Sequence, residues 1–302
     1  MAEKVWFITG TSRGFGREWA IAALERGDKV AATARDTSTL DDLSEKFGDA
    51  LLPIELDVTD RAADFAAVER AHDHFGRLDV VVNNAGYGQF GFIEELSEAE
   101  ARDQIETNVF GALWITQAAL PFLRAQRSGH IVQVSSIGGI TAFQNVGIYH
   151  ASKWALEGFS QALAQEVESF GIHVTLVEPG GFSTDWAGSS AKRAEEIADY
   201  ARSTRRRRRH VRSGTRRRVT RRPRQRRSSR SSTRRSRHCE CSSAACPFSS
   251  RRPTTRAASR RGRSGSRSPN SPRAEPALGR ILAGFRRHAF AQAVVDRRRP
   301  QQ

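Results

Sequence analysis

Lysine and acidic side chains nearly disappear from the last third of the chain. Residues 203–302 hold 32 Arg, no Lys and 3 acidic residues, which gives a formal charge of +29. Residues 1–202 hold 17 basic and 30 acidic residues, which gives −13, so the net charge of +16 comes from the later residues. We therefore divide the chain into a body, residues 1–202, with the composition of an ordinary acidic globular domain, and a tail, residues 203–302.

The body also lacks cysteine, and the whole chain lacks long apolar runs. All three cysteines (Cys239, Cys241 and Cys246) lie in the tail, which excludes a disulfide framework in the body and favours a reducing compartment. No run approaches the roughly 20 apolar residues that span a membrane. The first apolar run, residues 5–8, is too short for a signal sequence. We expect a soluble cytoplasmic protein with no membrane partner.

Short β-rich apolar runs alternate with helical segments along the body. The strands predicted from these runs cover residues 4–9, 29–34, 51–56, 78–82, 130–134 and 172–177. Alternation of strands and helices indicates an α/β fold with a doubly wound parallel sheet. In such sheets ligands bind at the carboxyl ends of the strands, so the residues that follow each strand are the candidates for a site.

A glycine-rich turn follows the first predicted strand. Residues 9–16 read TGTSRGFG and lead into a helix, which is the context of a dinucleotide-binding fingerprint. The glycines let the backbone approach a pyrophosphate at the helix N-terminus. Arg13 and Arg35 are cations that suit a 2′-phosphate and therefore favour NADP. Asp36 can instead accept hydrogen bonds from the ribose hydroxyls of NAD, so NAD remains open.

Tyr149 and Lys153 are four residues apart and share one face of a helix predicted for residues 147–170. A phenol has a reference pKa of about 10, and a nearby ammonium lowers it towards the range of a useful base. Ser136 follows the strand predicted for residues 130–134 and can hydrogen-bond a substrate oxygen. Tyr149 and Lys153 alone could equally be two side chains on a solvated helix face. The motifs elsewhere in the chain distinguish this alternative from a catalytic pair.

Other polar residues stand at predicted strand ends or inside helices. Asp57 follows the third strand and can bind an adenine amino group, although Asp57 or Thr59 can equally cap the next helix. A long helical region is predicted for residues 97–127 and opens with a capping box at Ser97. Asn108 lies inside it, where Asn is a poor helix former. It can kink the helix, hold a water, or be an amide satisfied within the core.

Together these motifs resemble the classical short-chain dehydrogenase/reductase family over about residues 4–200. The matching motifs are TGTSRGFG at 9–16, Asp57-Val58, NNAG at 83–86, Asn108, Ser136, YHASK at 149–153 and PGGFST at 179–184. The body is most similar to bacterial reductases related to hydroxysteroid and retinol dehydrogenases. The resemblance implies a Rossmann fold, a homo-oligomer, and hydride transfer between NADP(H) and a small carbonyl or alcohol substrate.

The resemblance also implies roles for single residues. Tyr149 is the expected general acid/base, Lys153 lowers its pKa and binds the nicotinamide ribose, and Ser136 orients the substrate carbonyl. Asn108 supports a water-mediated proton relay, whereas His150 fills a variable position and is not expected to be catalytic. No metal site is expected in the body. The expected cofactor-binding residues are Gly10, Ser12, Arg13, Gly14, Phe15, Gly16, Arg35, Asp57, Val58, Asn83, Asn84, Ala85, Gly86, Tyr149, Lys153, Pro179, Gly180, Phe182 and Thr184.

The tail departs from the family pattern and admits three hypotheses. It can bind nucleic acid nonspecifically through phosphates, hold a metal at His238 and the three cysteines, or be an out-of-frame translation. The third explains most, because Arg without Lys is natural for a misread GC-rich gene. Back-translated segments 239–245 and 263–273 also become protein-like after one and the same one-base shift, with codons of our choosing. We expect a one-base deletion near residues 202–204.

An out-of-frame tail has consequences for function. Six strands of the family sheet would be retained, while the last strand and the lid over the substrate would be replaced by a disordered, Arg-rich segment. The main hypothesis is an active oxidoreductase. The alternative is an inactive nucleotide-binding remnant whose basic tail binds nucleic acid nonspecifically, without a specific nucleic-acid partner. The identity of the ketone or alcohol cannot be read from the sequence.

Overall fold

A computed structural model describes residues 3–180 and 191–200 of the chain. Its central feature is a sheet of six parallel strands in the order β3-β2-β1-β4-β6-β7, and a second, two-stranded parallel sheet pairs β5 with β8. The strands are β1 (Val5–Ile8), β2 (Lys29–Ala34), β3 (Leu51–Glu55), β4 (Val80–Asn83), β5 (Gln89–Phe90), β6 (Gly129–Val134), β7 (Ile172–Val177) and β8 (Lys192–Arg193). The expected doubly wound parallel sheet with six strands is confirmed.

Helices cover both faces of the large sheet. They are α1 (Gly14–Glu25), α2 (Asp41–Phe47), α3 (Arg61–Phe75), α4 (Glu98–Ile105), α5 (Ala112–Gln126) and α6 (Gly147–Val167). Short 3₁₀ segments cover Thr37–Leu40, Gly48–Ala50, Ile93–Glu95, Ile137–Gly139 and Glu168–Phe170, and a π-helical turn covers Glu106–Gly111. Among the described residues, no helix combines the length and the apolar character needed to cross a membrane.

The alternation of side chains along β1 explains this two-faced arrangement. Phe7 packs in one core with apolar residues of α3, α5 and α6. Ile8 points to the other face and packs in a second core with residues of α1 and α2. Both side chains are fully buried, as a parallel strand covered by helices on both faces requires.

The order of the strands creates the place where a ligand can bind. After β3 the chain crosses back over the sheet, so that β4 pairs with the free side of β1. The chain therefore leaves β1 and β4 in opposite directions, which opens a crevice outside their carboxyl ends. The glycine turn at residues 9–16 and the NNAG motif at residues 83–86 both fall at this crevice.

The helical region predicted for residues 97–127 is confirmed over residues 98–126, where a π-helical turn around Asn108 lies between α4 and α5. One helix cap differs from the sequence-based expectation. The N-cap of α3 is neither Asp57 nor Thr59 but Asp60, whose side chain accepts the N–H groups of Ala62 and Ala63. The capping box of Ser97 and Glu100 at α4 is confirmed.

Candidate active site

Glycines close the turn after β1 against the end of β4. Gly10 and Gly14 have φ angles of +68° and +62°, a region that glycine enters without steric cost. A Cβ atom on Gly16 would lie 2.4 Å from the carbonyl oxygen of Gly10 and 2.5 Å from Nδ2 of Asn84. That Nδ2 donates to the carbonyl oxygens of Thr9 and Gly10 at 2.9 and 3.0 Å. The turn therefore packs backbone against backbone.

The hydroxyl of Thr9 reinforces the same junction. Its Oγ1 accepts the N–H groups of Asn84 and Ala85, both at 2.9 Å. Asn83, the last residue of β4, donates through Nδ2 to Oγ1 of Thr116 on α5 at 3.0 Å. The NNAG motif thus has two tasks, since its first amide anchors β4 to α5 while its second fixes the glycine turn.

No side chain caps the first turn of α1, which begins at Gly14 behind the extended residue Arg13. Uncapped N–H groups at a helix start, with the positive end of the helix dipole, suit a phosphate. Ser12 and Phe15 lie half-buried in the same turn. Thr11 ties this turn to β2, because its N–H and its hydroxyl both donate to the carbonyl oxygen of Thr33, at 2.9 and 3.0 Å.

The two acidic candidates at this end of the site are engaged locally. Oδ1 of Asp36 accepts the N–H and the hydroxyl of Ser38 at 3.0 and 2.7 Å, and these bonds hold the pKa of Asp36 below its usual value. Asp57 makes the corresponding pair of bonds to Thr59, at 3.0 and 2.8 Å. Arg35 is exposed at the end of β2, and Val58 is buried.

Ser136, Tyr149 and Lys153 converge beyond the carboxyl end of β6. All three are buried, and Ser136 begins the 3₁₀ segment Ile137–Gly139 with its Oγ accepting the N–H of Gly138 at 3.0 Å. The Nζ atom of Lys153 donates to the carbonyl oxygen of Val134, the last residue of β6, at 2.8 Å. The same atom lies 5.9 Å from the centre of the Tyr149 ring. Helix α6 therefore presents both side chains to one strand end.

The pKa values of Tyr149 and Lys153 both depart from the usual values of a phenol and an ammonium. Burial raises the pKa of Tyr149 above its usual value, while the hydrogen bond with Ser136 opposes the rise only in part. Burial lowers the pKa of Lys153 to about 8, and the charge of Glu157 works against that lowering. Burial therefore sets the direction of the Tyr149 pKa in this structure, and its expected lowering by Lys153, whose ammonium is directed at the carbonyl oxygen of Val134, stays a prediction.

Asn108 joins the end of β4 to α6. Its Oδ1 accepts the N–H of Tyr87 at 3.1 Å, and its Nδ2 donates to the carbonyl oxygen of Tyr87 and to Oγ of Ser152 at 3.1 and 3.0 Å. A Cβ atom on Gly86 would lie 3.0 Å from Oδ1 of Asn108 and 3.7 Å from Nζ of Lys153. The structure therefore shows the satisfied amide, one of the three interpretations of Asn108, within a π-helical turn.

Comparison with known proteins identifies the family. The family model for short chain dehydrogenases matches residues 4–195. The chain belongs to the short-chain dehydrogenase family. Within this family it is 50% identical over 188 residues to "Oxidoreductase BOA17" of Botryotinia fuckeliana, a match that covers 62% of this chain and 69% of the relative. It is 41% identical over 184 residues to a 3-ketodihydrosphingosine reductase of Bacteroides thetaiotaomicron, with 61% and 66% of the two chains covered.

Solved structures also superpose on the chain. A short-chain dehydrogenase from Streptomyces avermitilis has 44% sequence identity and a TM-score of 0.64, with 68% of this chain and 77% of that chain covered. ElxO, solved with NADP bound, has 30% identity and a TM-score of 0.57, with 59% and 74% covered. The family match, the two curated relatives and the Streptomyces avermitilis structure, whose names are those of oxidoreductases, make the protein a short-chain dehydrogenase/reductase enzyme.

Three further polar residues of α6 lie buried at the site of this short-chain dehydrogenase, and none of them was assigned a role from the sequence. Ser152 is fully buried and donates through Oγ to the carbonyl oxygen of Tyr149 at 2.7 Å. Glu157 is buried one turn beyond Lys153, and His150 is buried beside Tyr149. The available signal was the run of small and polar residues on the inner face of α6, which an ordinary amphipathic helix would fill with apolar residues.

The segment after residue 190 also contributes. Strand β8 pairs with β5, and the ring of Tyr200 stacks on Phe92 with ring centres 4.6 Å apart. The hydroxyl of Tyr200 donates to Oε2 of Glu94 at 2.7 Å. The two-stranded sheet was not predicted, because strands of two residues carry no periodicity. Residues 191–200 thus pack on the loop that follows β4.

Of the four residues expected at the nicotinamide end of the cofactor, Pro179 and Gly180 lie within the described part of the chain. Pro179 is half-buried and its carbonyl oxygen accepts the N–H of Ile137 at 2.9 Å, while Gly180 is exposed. Phe182 and Thr184 lie outside the described residues, as do the tail and its metal candidates at His238, Cys239, Cys241 and Cys246.

Proposed function

We propose that the protein is an NADP(H)-dependent oxidoreductase that interconverts a small carbonyl compound and the corresponding secondary alcohol. The observation that carries the proposal is the convergence of the buried side chains of Ser136, Tyr149 and Lys153 at the end of β6. A bound nicotinamide supplies or accepts the hydride. The task left to the protein is to hold the carbonyl group, exchange a proton with its oxygen, and exclude water.

Ser136 and Tyr149 are proposed to share the substrate oxygen. The Oγ atom of Ser136 accepts the N–H of Gly138 and is also hydrogen-bonded with Tyr149, and in the proposed reaction its own proton is donated to the substrate oxygen. The raised pKa of Tyr149 keeps the phenol protonated near neutral pH, as required of an acid that protonates a carbonyl oxygen during reduction. In the direction of alcohol oxidation the same hydroxyl, once deprotonated, takes the proton back.

Lys153 and Asn108 are proposed to support this exchange. With a pKa of about 8, the ammonium of Lys153 is charged at neutral pH and favours the phenolate of Tyr149 when its proton leaves. Its proposed second task is to bind the nicotinamide ribose. Asn108 stays the proposed support of a water-mediated relay, and its bonds to Tyr87 keep its amide beside Gly86 and Lys153.

NADP is the proposed cofactor, and the glycine turn fits its phosphates. The turn brings backbone close enough to β4 that a Cβ atom on Gly16 is excluded, and no side chain caps α1. Asp36 accepts two hydrogen bonds from Ser38, and Arg13 and Arg35 are the proposed charged side chains for a 2′-phosphate. The NADP-bound structure of ElxO supports the same choice.

The cofactor proposal is tested by steady-state kinetics with NADPH and NADH. We expect Arg35→Ala to raise the KM for NADPH by roughly 10-fold or more, since a charge-assisted bond to phosphate contributes about 1.5–3 kcal/mol, and to leave the KM for NADH nearly unchanged. Arg17→Ala is the matched control, because Arg17 pairs with Asp42 at 2.6 Å on the surface of α1. Equal effects of Arg35→Ala on both cofactors would contradict the proposal.

We also propose that the catalytic domain comprises residues 1–202 and that residues 203–302 are an out-of-frame appendage. The end of the family match at residue 195 and the change from −13 to +29 in formal charge support this division. A cytoplasmic location and a homo-oligomer stay predictions. The coding DNA tests the division: third-position GC bias in the given frame of the tail would contradict it, and bias in the frame shifted by one base would support it.

A further inference from the structure

His150 spans the loop that follows Ser136 and occupies both of its ring nitrogens in doing so. Nε2 accepts the N–H of Phe143 at 2.8 Å, so this nitrogen carries no proton. Nδ1 therefore carries the proton of the neutral ring and donates it to the carbonyl oxygen of Gly138 at 2.8 Å. The side chain is only 5% exposed. One imidazole thus joins two peptide groups of the loop to α6.

Gly138 passes this restraint on to Ser136. Its carbonyl oxygen accepts from His150, and its own N–H donates to Oγ of Ser136 at 3.0 Å. A Cβ atom on Gly138 would lie 2.7 Å from Nδ1 of His150 and 3.1 Å from Cε1 of Tyr149. The residue therefore lies directly against both rings, and its Cα joins the peptide group that His150 holds to the peptide group that bonds to Ser136.

His150 does not act on the substrate itself. Its ring centre lies 5.9 Å from that of Tyr149, and the two ring planes are inclined by 56°. Because both nitrogens already serve the loop backbone, neither is available to exchange a proton with a substrate. Any influence on the reaction has to pass through Gly138 to Ser136.

We propose that His150 is a positioning residue that fixes the direction of the Ser136 hydroxyl through the peptide groups of Gly138. The proposal rests on the proposed function of Ser136, and it deepens that function by adding the group that orients it. In this proposal the hydrogen bond from His150 to Gly138 orients Ser136 for the reaction. The hydrogen bond between His150 and Phe143 only holds the part of the loop that is farther from Ser136.

Two substitutions separate the two contacts. In His150→Asn the amide nitrogen takes the place of Nδ1 and keeps a donor for Gly138, but nothing reaches Phe143. In His150→Gln the longer side chain reaches the place of Nε2 and offers an oxygen to Phe143, but no donor remains beside Gly138. His130→Gln is the control for the loss of a histidine, since His130 lies at the other end of β6 and contacts Thr175 at 2.8 Å.

Kinetics of the full chain with NADPH and a panel of aliphatic and aryl ketones provide the first readout. We expect His150→Gln to lower kcat by about 10–100-fold, because a misplacement of about 1 Å near the chemistry can cost 100-fold, with the KM for NADPH unchanged. His150→Asn should retain kcat within about 3-fold on the same ground. Equal kcat values for the Gln and Asn variants would overturn the proposal.

Amide hydrogen exchange provides a readout that does not depend on turnover. The N–H of Gly138 should be protected in the unmodified protein and in His150→Asn and should lose protection in His150→Gln, while the N–H of Phe143 should show the reverse pattern in the two variants. Absence of turnover with every ketone in the unmodified protein would count against the proposed function, and exchange at Gly138 would then decide alone. Full protection of Gly138 in His150→Gln would overturn the proposal.

Discussion

The two sides of the candidate site are built by different means. On the cofactor side, the turn at residues 9–16 approaches the end of β4 so closely that a Cβ atom at Gly16 has no room, and the amide of Asn84 bonds to the carbonyl oxygens of the turn. On the substrate side, two side chains of α6 provide the contacts: Lys153 bonds to the last residue of β6, and His150 holds the loop after Ser136. A cofactor shared by many enzymes permits a fixed backbone cradle, whereas side chains let the substrate side vary on the same scaffold.

Replacement of the phenol on the substrate side should have the largest effect. Tyr149→Phe removes the proton donor while it keeps the ring between Ser136 and α6, so we expect kcat to fall by about 10²–10⁴-fold, the contribution typical of a general acid or base. Steady-state kinetics measure the loss. The dissociation constant for NADPH, measured by fluorescence titration, should change far less than kcat, because the phosphates of the cofactor are proposed to bind at the glycine turn.

A methyl group in the backbone cradle tests the cofactor side. In Gly16→Ala the added Cβ would lie 2.4 Å from the carbonyl oxygen of Gly10, and overpacking of this kind costs about 1–3 kcal/mol in the free energy of unfolding. The affinity for NADPH should fall with it. Gly158→Ala is the matched control in α6, where nothing lies within 4 Å of the new Cβ, and it should be neutral or stabilising. Equal unfolding curves for the two variants would refute the backbone account.

The smallest of the three expected effects comes from the buried carboxyl group of Asp64, which makes the free energy of unfolding depend on pH. Asp64, in the first turn of α3, is fully buried with no hydrogen-bond partner on either oxygen, and burial together with the charges of Asp60 and Asp57 raises its pKa from 3.8 to about 8. The folded protein therefore binds a proton that the unfolded chain releases above about pH 4, and the free energy of unfolding falls as pH rises towards 8.

Asp64→Asn should remove that slope. We expect the variant to be more stable than the unmodified protein by roughly 1–2 kcal/mol at pH 8.5, and to lose this advantage near pH 4. Urea unfolding at several pH values measures the difference. Glu45→Gln, at an exposed position of α2, controls for the loss of a carboxylate. Parallel pH profiles for the unmodified protein and Asp64→Asn would show that Asp64 is ionised in the fold.

The strands could be predicted from the sequence because their signal is local. The predicted bounds 29–34 and 172–177 coincide with β2 and β7, and the other strands of the large sheet differ by one or two residues at an end. Apolar β-branched runs bounded by glycine or charge suffice for this. In contrast, helix α2 was not identified, since seven residues between β2 and β3 carry too short a pattern.

What could not be predicted depends on partners distant in the sequence. The π-helical turn at Asn108 accompanies amide bonds to Tyr87, and no local pattern announces such a partner. The pKa of Tyr149 is raised because its side chain is buried. The spacing of four residues between Tyr149 and Lys153 gives no information about that burial. His150 occupies a variable motif position, so the motif gave no reason to examine it.

Transfer of deuteride by the full chain tests the central claim most directly. NADPH labelled with deuterium at C4 of the nicotinamide, on the face that is transferred, is incubated with a ketone, and the alcohol is analysed by mass spectrometry. We predict one deuterium at the carbinol carbon with the unmodified protein and a rate at least 100-fold lower with Tyr149→Phe, in keeping with loss of a general acid. Alcohol without deuterium, or equal rates for the two proteins, would contradict the account.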